Sequence, residues 1–402
     1  MSKTLNIVGG SLGGLFHGIA LSRLGHRVTI LEQNPAPLLH DQGAGIVAGS
    51  NTQKYFRAHD RSQTPLAITS NVRQYLDHKG NVIETEKRAQ KMTSWDLLYH
   101  VLRANYDGVQ SKYLEPPKKK EGDGDVKYAY GRVVNELQDL GTDRGVRVTS
   151  RSSKDGTEET IVADLLIASD GASSTIRTIL QPDVQRTYAG YVAWRGTCPE
   201  SELSGFTAST LVDKFTFFHQ TGMQILAYLI PGPAGTLEKG KRLMNWVWYC
   251  NCPQDSAEYM SMMLDNQGKR HNFSLPPGRV RPEVWEEQKK HAERELPPQF
   301  AEIVRKTKVP FLQAITDVIS PKASFFNGKI LLVGDAVAGF RPHAAASTSQ
   351  AAFDSFYVVD LVTGRISLSE WEKNVMGYAR EIQPQSVALG QRSQFGEHPL
   401  RG

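Results

Sequence analysis

The feature that most constrains this chain is the turn Gly9-Gly10-Ser11-Leu12-Gly13-Gly14. It follows the apolar run Leu5 to Val8 and precedes apolar residues at helical spacing, Leu15, Ile19 and Leu24. Glycines here remove side chains where a strand must reverse into a helix and lie against it. Gly25-His26 closes the helix, and Val28 to Leu31 is a second apolar strand ending at Glu32. Short connections of this kind predict a βαβ unit, hence a parallel sheet with a right-handed crossover. The frame Gly9-x-Ser11-x-x-Gly14 is a variant, with Ser at its middle position, of the turn that offers backbone N–H groups to a pyrophosphate. Glu32, 23 residues beyond Gly9, stands where an acid can accept the ribose hydroxyls of an adenosine. The alternative is a tight turn whose glycines serve packing alone.

Two later strand ends repeat the theme. Leu165-Leu166-Ile167-Ala168 leads to Asp170-Gly171, and Ile330-Leu331-Leu332-Val333 leads to Gly334-Asp335-Ala336, 165 residues after Asp170. Open α/β sheets bind ligands at such carboxyl ends. Small residues follow the second, in Arg341-Pro342-His343-Ala344-Ala345-Ala346, and allow close backbone approach to a planar ligand. From Tyr188 to Tyr249 the period changes to two, with aromatics alternating in Phe215 to His219, Gln224 to Leu229 and Trp246 to Tyr249. The expected fold is α/β: a Rossmann-like domain from 1–187 and 311–402, with an inserted antiparallel-sheet substrate domain at 188–310. Further helices are expected from Ser50 to Ala58, from Ser94 to Leu102 behind a Thr93-Ser94 cap, near Pro282 to Arg294, and from Ser367 to Gln391. Glu115 to Asp125 carries no apolar residue and reads as a solvated loop.

Composition closes several routes. The net charge of +5 is spread over interspersed signs and argues for no nucleic-acid partner. No stretch approaches the ~20 apolar residues of a membrane span, and Leu5 to Val8 is too short for a secretory core. Three cysteines, Cys198, Cys250 and Cys252, make neither a disulfide framework nor a zinc spacing. No metal is expected, and a reducing, cytoplasmic setting is.

The three strand-end motifs in this order resemble the single-component FAD-dependent aromatic hydroxylases, the group typified by para-hydroxybenzoate hydroxylase and salicylate hydroxylase. The resemblance spans nearly the whole chain. Thr187-Tyr188-Ala189-Gly190-Tyr191-Val192-Ala193-Trp194-Arg195-Gly196 and Arg341 to Ala346 look most like hydroxypyridine-hydroxylating members. The resemblance implies noncovalent FAD with its pyrophosphate at Gly9, Ser11 and Gly14 and its adenosine ribose at Glu32. It implies a role for Asp170 and Gly171 toward FAD and NAD(P)H, and for Asp335 toward the flavin ribose. Pro342, Ala345 and Ala346 would lie against the isoalloxazine, with Gly43-Ala44-Gly45 near the ring. Three departures stand out: Ser11 for the middle glycine, Trp95 where the family often has a pyrophosphate-binding Arg, and Ala345 and Ser347 at flavin-loop glycines.

The implied reaction uses NAD(P)H and O₂ to hydroxylate an electron-rich aromatic ring through a flavin C4a-hydroperoxide. His343 and His219 are candidates for ionising a ring hydroxyl, because imidazole titrates near neutral pH. Arg195 would hold an anion or make an inter-domain ion pair. Tyr191, Phe217, Tyr228, Trp246 and Trp248 are candidates to line an aromatic pocket, with ordinary core packing as the alternative. The substrate is open among hydroxypyridines, hydroxybenzoates losing their carboxylate, and larger phenols. A homodimer is compatible with the chain. The rival readings are a flavin-binding protein without hydroxylase turnover and an NAD-linked dehydrogenase that uses the first motif alone.

Overall fold

The computed structural model describes residues 2–36, 44–141 and 144–396. Its first layer is a six-stranded sheet in the order Ser324–Phe325, Ile330–Leu332, Leu165–Ala168, Thr4–Val8, Arg27–Leu31, Val126–Ala129. Every pairing is parallel except that of the Ser324–Phe325 edge. Thr4–Val8 lies between two neighbours and is covered on both faces, which explains its unbroken apolar run. The helix Leu12–Ser22 is buried at every residue but Gly13, packed against the helices Trp95–Asp107 and Ser347–Val362. Ser94 caps the first of these two, its hydroxyl accepting from the Leu97 N–H at 3.2 Å.

The second layer is a ten-stranded sheet. Its main path runs Ser274–Leu275, Phe311–Ile319, Thr187–Pro199, Leu243–Asn251, Met223–Ile230, Lys214–Gln220, Ile68–Leu76, Val82–Ser94, Gly45–Val47, and Ala338–Gly339 pairs with Phe311–Ile319. The sheet is therefore not confined to 188–310. Gly45–Val47, Ile68–Leu76, Val82–Ser94 and all of Phe311–Ile319 come from outside that segment, and Lys214–Phe217 pairs in parallel with Val72–Tyr75. The hairpin of Ile68–Leu76 and Val82–Ser94 escaped the sequence reading because its outer strand is exposed over its first eight positions. An edge strand in water needs no apolar alternation. A three-stranded sheet, Arg132–Asp139, Val146–Ser152 and Glu158–Ala163, also went unread; it lies in the connection from Val126–Ala129 to Leu165–Ala168.

One face of the large sheet is sealed by the helices Pro282–Glu295 and Pro298–Lys306, the second contributing Phe300, over Trp194, Trp246 and Trp248. The opposite face carries Tyr191 and Tyr249 and meets the short turn Pro342–Ala344, while Phe395, at the end of the helix Leu368–Gln394, packs on Tyr191. No helix among the described residues is long and apolar enough to cross a membrane.

The close approach of helix to strand yields a test. A Cβ on Gly14 would lie 1.9 Å from the Gly9 carbonyl oxygen, backbone against backbone, whereas one on Gly13 would meet nothing nearer than the Ser169 Cβ at 3.6 Å. Gly14→Ala should cost about 3 kcal/mol in chemical denaturation. Gly13→Ala should be close to neutral.

Candidate active site

Three strand ends converge. Gly9 has φ +99, and a Cβ there would lie 2.5 Å from the Ser169 carbonyl oxygen. The Ser169 hydroxyl donates to the carbonyls of Val8 (2.9 Å) and Gly9 (3.1 Å), and Val333 N–H donates to Ala168. The fingerprint turn, the Asp170 segment and the Gly334-Asp335 segment are thereby one structural unit.

At the first turn, the Glu32 carboxylate is buried. Its Oε2 accepts the Gly10 N–H at 2.8 Å, and its Oε1 accepts from Asn34 N (2.8 Å) and Nδ2 (2.7 Å). These bonds hold the side chain in place and leave lone pairs for a further donor. The Tyr128 hydroxyl donates to the Gly10 carbonyl, and a Cβ on Gly10 would stand 2.0 Å from it, so that glycine, absent from the expected set, is sterically required. Ser11 occupies the N-cap of Leu12–Ser22 but caps nothing with its side chain. Its Oγ instead accepts from the Trp95 indole N–H at 3.3 Å. Two of the three departures from the family pattern are thus one hydrogen-bonded pair.

Asp170 accepts from the Ser174 hydroxyl at 2.6 Å and from the Ile176 N–H at 3.1 Å, which ties it to the start of the helix Thr175–Leu180; burial pushes its carboxyl upward. Gly171 has φ +80. Asp335, at the far strand end, has a buried Oδ1 with no hydrogen-bond partner. Burial pushes this carboxyl up, against the pull of Ser347, Arg186 and Arg177. Asp354 accepts the Gly334 N–H at 2.7 Å, and burial pushes its carboxyl up to about 8. Sequence reasoning missed it, since a lone Asp on an apolar helix carries no signal of its strand-end partner.

Pro342–Ala344 forms a short 3-10 turn, and Ala345 follows in the left-handed region at φ +50. A residue with a Cβ is strained there. Ala346 begins the helix Ser347–Val362, again without a side-chain cap. His343 Nε2 lies 3.1 Å from the Tyr191 hydroxyl, and its ring centre is 4.3 Å from that of Tyr249. Burial, assisted by the Arg341 charge, lowers the imidazole to about 3, so His343 is neutral in the folded protein.

Strand register sorts the aromatic candidates. Residues directly opposite share a face. Tyr191, Ala193 and Arg195 share one with Val247 and Tyr249, with Leu226 and Tyr228, and with Phe217, His219 and Tyr75. This is the face that meets His343. Trp246 and Trp248 have the other parity. Trp246 donates to Thr307 Oγ1 at 2.8 Å, and the Trp248 ring lies 5.0 Å from that of His291, both beneath the covering helices. Their expected place in a substrate pocket is corrected to core packing; parity is readable within one strand, but cross-strand register is not. His219 receives the Gln224 amide at 3.1 Å, and Gln224 Oε1 accepts from Ser393 near the end of the last helix. Gly45 N–H donates to Asn245 Oδ1 at 3.0 Å, and a Cβ on Gly45 would lie 2.6 Å from the Tyr228 hydroxyl. Gly43 lies outside the described residues. The hollow of about 230 Å³ that Asn6, Thr29, Lys127, Ser150 and Glu159 help to line shares no side chain with this site.

The fold is of the para-hydroxybenzoate hydroxylase type. Residues 188–317 match the family described as FAD binding domain-like. The chain is 26% identical over 401 residues to 2,6-dihydroxypyridine 3-monooxygenase of Paenarthrobacter nicotinovorans, covering 97% of this chain and 91% of that one. The structure of 2,6-dihydroxypyridine-3-hydroxylase from Arthrobacter nicotinovorans superposes with a TM-score of 0.83 at 24% identity, over 99% of this chain and 96% of that one. A Klebsiella pneumoniae protein complexed with FAD and uric acid gives 0.72 at 17% identity, over 99% and 90%. Over nearly its whole length the chain is similar to a dihydroxypyridine monooxygenase, and it shares its fold with a structure complexed with FAD.

The buried histidines generate a pH prediction. His17 and His343 are lowered by burial to about 4 and about 3, against about 6.5 in the unfolded chain. On the acid side the unfolded state binds more protons, so their contribution is whole above pH ~6.5 and is lost as pH falls below it. Each should remove about 2 kcal/mol between pH 8 and pH 5. Urea midpoints at the two pH values should show the loss, and His343→Gln should shrink it by about that amount.

Proposed function

We propose that this protein is an FAD-dependent monooxygenase that uses NAD(P)H and O₂ to hydroxylate an electron-rich aromatic ring. The observation that carries the reading is the unpartnered, buried Oδ1 of Asp335 at a strand end shared with the glycine turn. An orphaned carboxylate oxygen is costly unless a ligand hydroxyl donates to it. The uncapped first turn of Leu12–Ser22 offers N–H groups to a pyrophosphate, and Glu32 has acceptor capacity left for a ribose. These residues fit FAD: Gly9 to Gly14 at the pyrophosphate, Glu32 at the adenosine ribose, Asp335 at the flavin ribose, and Pro342 to Ala346 with Gly45 toward the ring. Asp170 serves the same end indirectly by fixing the turn that follows its strand. Bound FAD, reduced by NAD(P)H, supplies the activated oxygen.

The chain's own residues bind, orient and exclude water. Tyr191, Tyr249 and His343 make an aromatic wall in which His343 is a neutral hydrogen-bonding group. A proton moves onto His343, through the Tyr191 hydroxyl, only as a compensating ring oxyanion forms beside it, because burial opposes an isolated imidazolium. An NAD-linked dehydrogenase leaves Asp335 without a role.

The purified protein should be yellow. Asp335→Ala should weaken FAD about 10- to 150-fold in a reconstitution titration, the worth of a charge-assisted hydrogen bond. His343→Gln should keep FAD but slow oxygen transfer about 100-fold or more, with peroxide released instead. Parental FAD affinity in Asp335→Ala would remove the cofactor placement. Probe-independent NAD(P)H oxidation across phenols, hydroxybenzoates and hydroxypyridines would favour a flavoprotein without hydroxylase turnover.

A further inference from the structure

The helix Trp95–Asp107 carries side chains at four-residue spacing, Trp95, Tyr99, Arg103 and Asp107, which therefore follow one another along one face. Trp95 stacks on Tyr99, with ring centres 4.7 Å and planes 12° apart. Arg103 is almost wholly buried. Its NH1 donates to the Tyr99 hydroxyl at 2.8 Å and to the Tyr130 hydroxyl, and its Nε and NH2 take the two Asp107 oxygens at 3.1 and 2.8 Å. These bonds fix the plane of the guanidinium, as the rigid fork of an arginine allows. Held so, its central carbon lies 3.8 Å from the centre of the Tyr128 ring.

Both ends of this row reach the glycine turn. The Tyr128 hydroxyl donates to the Gly10 carbonyl at 2.9 Å, while the Gly10 N–H is held by Glu32 Oε2 at 2.8 Å. Burial, with Tyr99 and Glu32 nearby, raises the Tyr128 hydroxyl above its ordinary value, so it remains a donor. The next residue is held from the other end of the row, by the bond from the Trp95 indole to Ser11 Oγ. Two consecutive residues of the turn thus take their positions from one helix face through neutral donors. The full charge of Arg103 is engaged by Asp107 and the tyrosines and not by the turn itself.

We propose that Trp95, Arg103 and Tyr128 are positioning residues that set the turn for the adenosine diphosphate half of the cofactor. Tyr128 fixes the peptide beside Glu32, Trp95 keeps the Ser11 oxygen away from the first-turn N–H groups, and Arg103 ties the two together. All three act through Gly10 and Ser11. The proposal rests on the FAD reading above and adds which residues outside the turn govern its affinity. A glycine-rich turn loses much conformational freedom when a ligand orders it, and ordering it beforehand removes that cost from binding.

The full chain freed of flavin and titrated with FAD, with ADP as a competing probe for the nucleotide half alone, tests it. Tyr128→Phe keeps the ring beneath Arg103 and removes one hydrogen bond; it should weaken FAD and ADP alike, about 3- to 10-fold. Arg103→Lys keeps a charge beside Asp107 without the fork and should weaken both by a similar factor. Trp95→Phe keeps the stacking and removes the indole donor, and should weaken both as well. In a Ser11→Ala background, where no oxygen is left to compete for the first-turn N–H groups, Trp95→Phe should have almost no effect. The visible spectrum at saturating FAD should match the parent in every variant, and thermal midpoints show that each is folded. Parental FAD and ADP affinity in folded Tyr128→Phe, a Trp95→Phe loss of equal size with and without Ser11, a changed flavin spectrum, or ADP that fails to displace FAD from the parent would overturn the brace. Failure of the FAD reading would look different: a parental chain that takes up no FAD.

Discussion

The site depends on one buried guanidinium. Arg177 projects from the short helix Thr175–Leu180, whose start Asp170 braces, and it is almost wholly removed from solvent. Its NH1 donates to the Ala336 carbonyl at 2.8 Å, and its NH2 donates to the Ala172 carbonyl. Those carbonyls belong to the turns after two different parallel strands, so one side chain fixes the spacing of both. The charges of Asp170 and Asp335 flank it and sustain its ionisation against burial. The benefit runs both ways: Arg177 and Arg186 oppose the protonation that burial would force on Asp335. A polar ligand group can then meet a carboxylate at a place where an isolated one would be neutral.

The turn at the first strand shows how a motif can change its residues and keep its geometry. Serine at an N-cap ordinarily accepts a first-turn N–H. Here the Ser11 oxygen is taken by the Trp95 indole, which can only donate. The N–H groups of the first helical turn stay open to an anion, and the Ser11 hydroxyl hydrogen remains available to it. An arginine at position 95 would bring charge; tryptophan brings a neutral constraint, held by stacking on Tyr99 at 4.7 Å.

Much of the parallel layer was legible because fully buried strands leave continuous apolar runs. Leu5 to Val8, Leu165 to Ala168 and Ile330 to Val333 are neighbours in the sheet as their strand-end motifs imply. Helix ends were legible where capping chemistry was present, as at Ser94 and Ser367. The hairpin of Ile68–Leu76 and Val82–Ser94 was not, because its outer strand faces water. Cross-strand register was hidden altogether, which is why Trp246 and Trp248 seemed equivalent to Tyr228. Asn245 and Asp354 acquire meaning only from partners at Gly45 and Gly334, 200 and 20 residues away. Arg177 lay within a legible motif, but its second bond, to Ala336, is a product of the fold.

The central claim is that the converged strand ends and the Tyr191 face serve one oxygen-transfer site. Turnover under ¹⁸O₂ with NAD(P)H and an accepted aromatic probe tests it most directly, read by mass spectrometry of the product. The account predicts one labelled oxygen on the ring per NAD(P)H consumed, and no label when ¹⁸O is supplied as water. A ring oxygen derived from water, or NAD(P)H consumed with peroxide as the sole oxygen product for every probe, would contradict it.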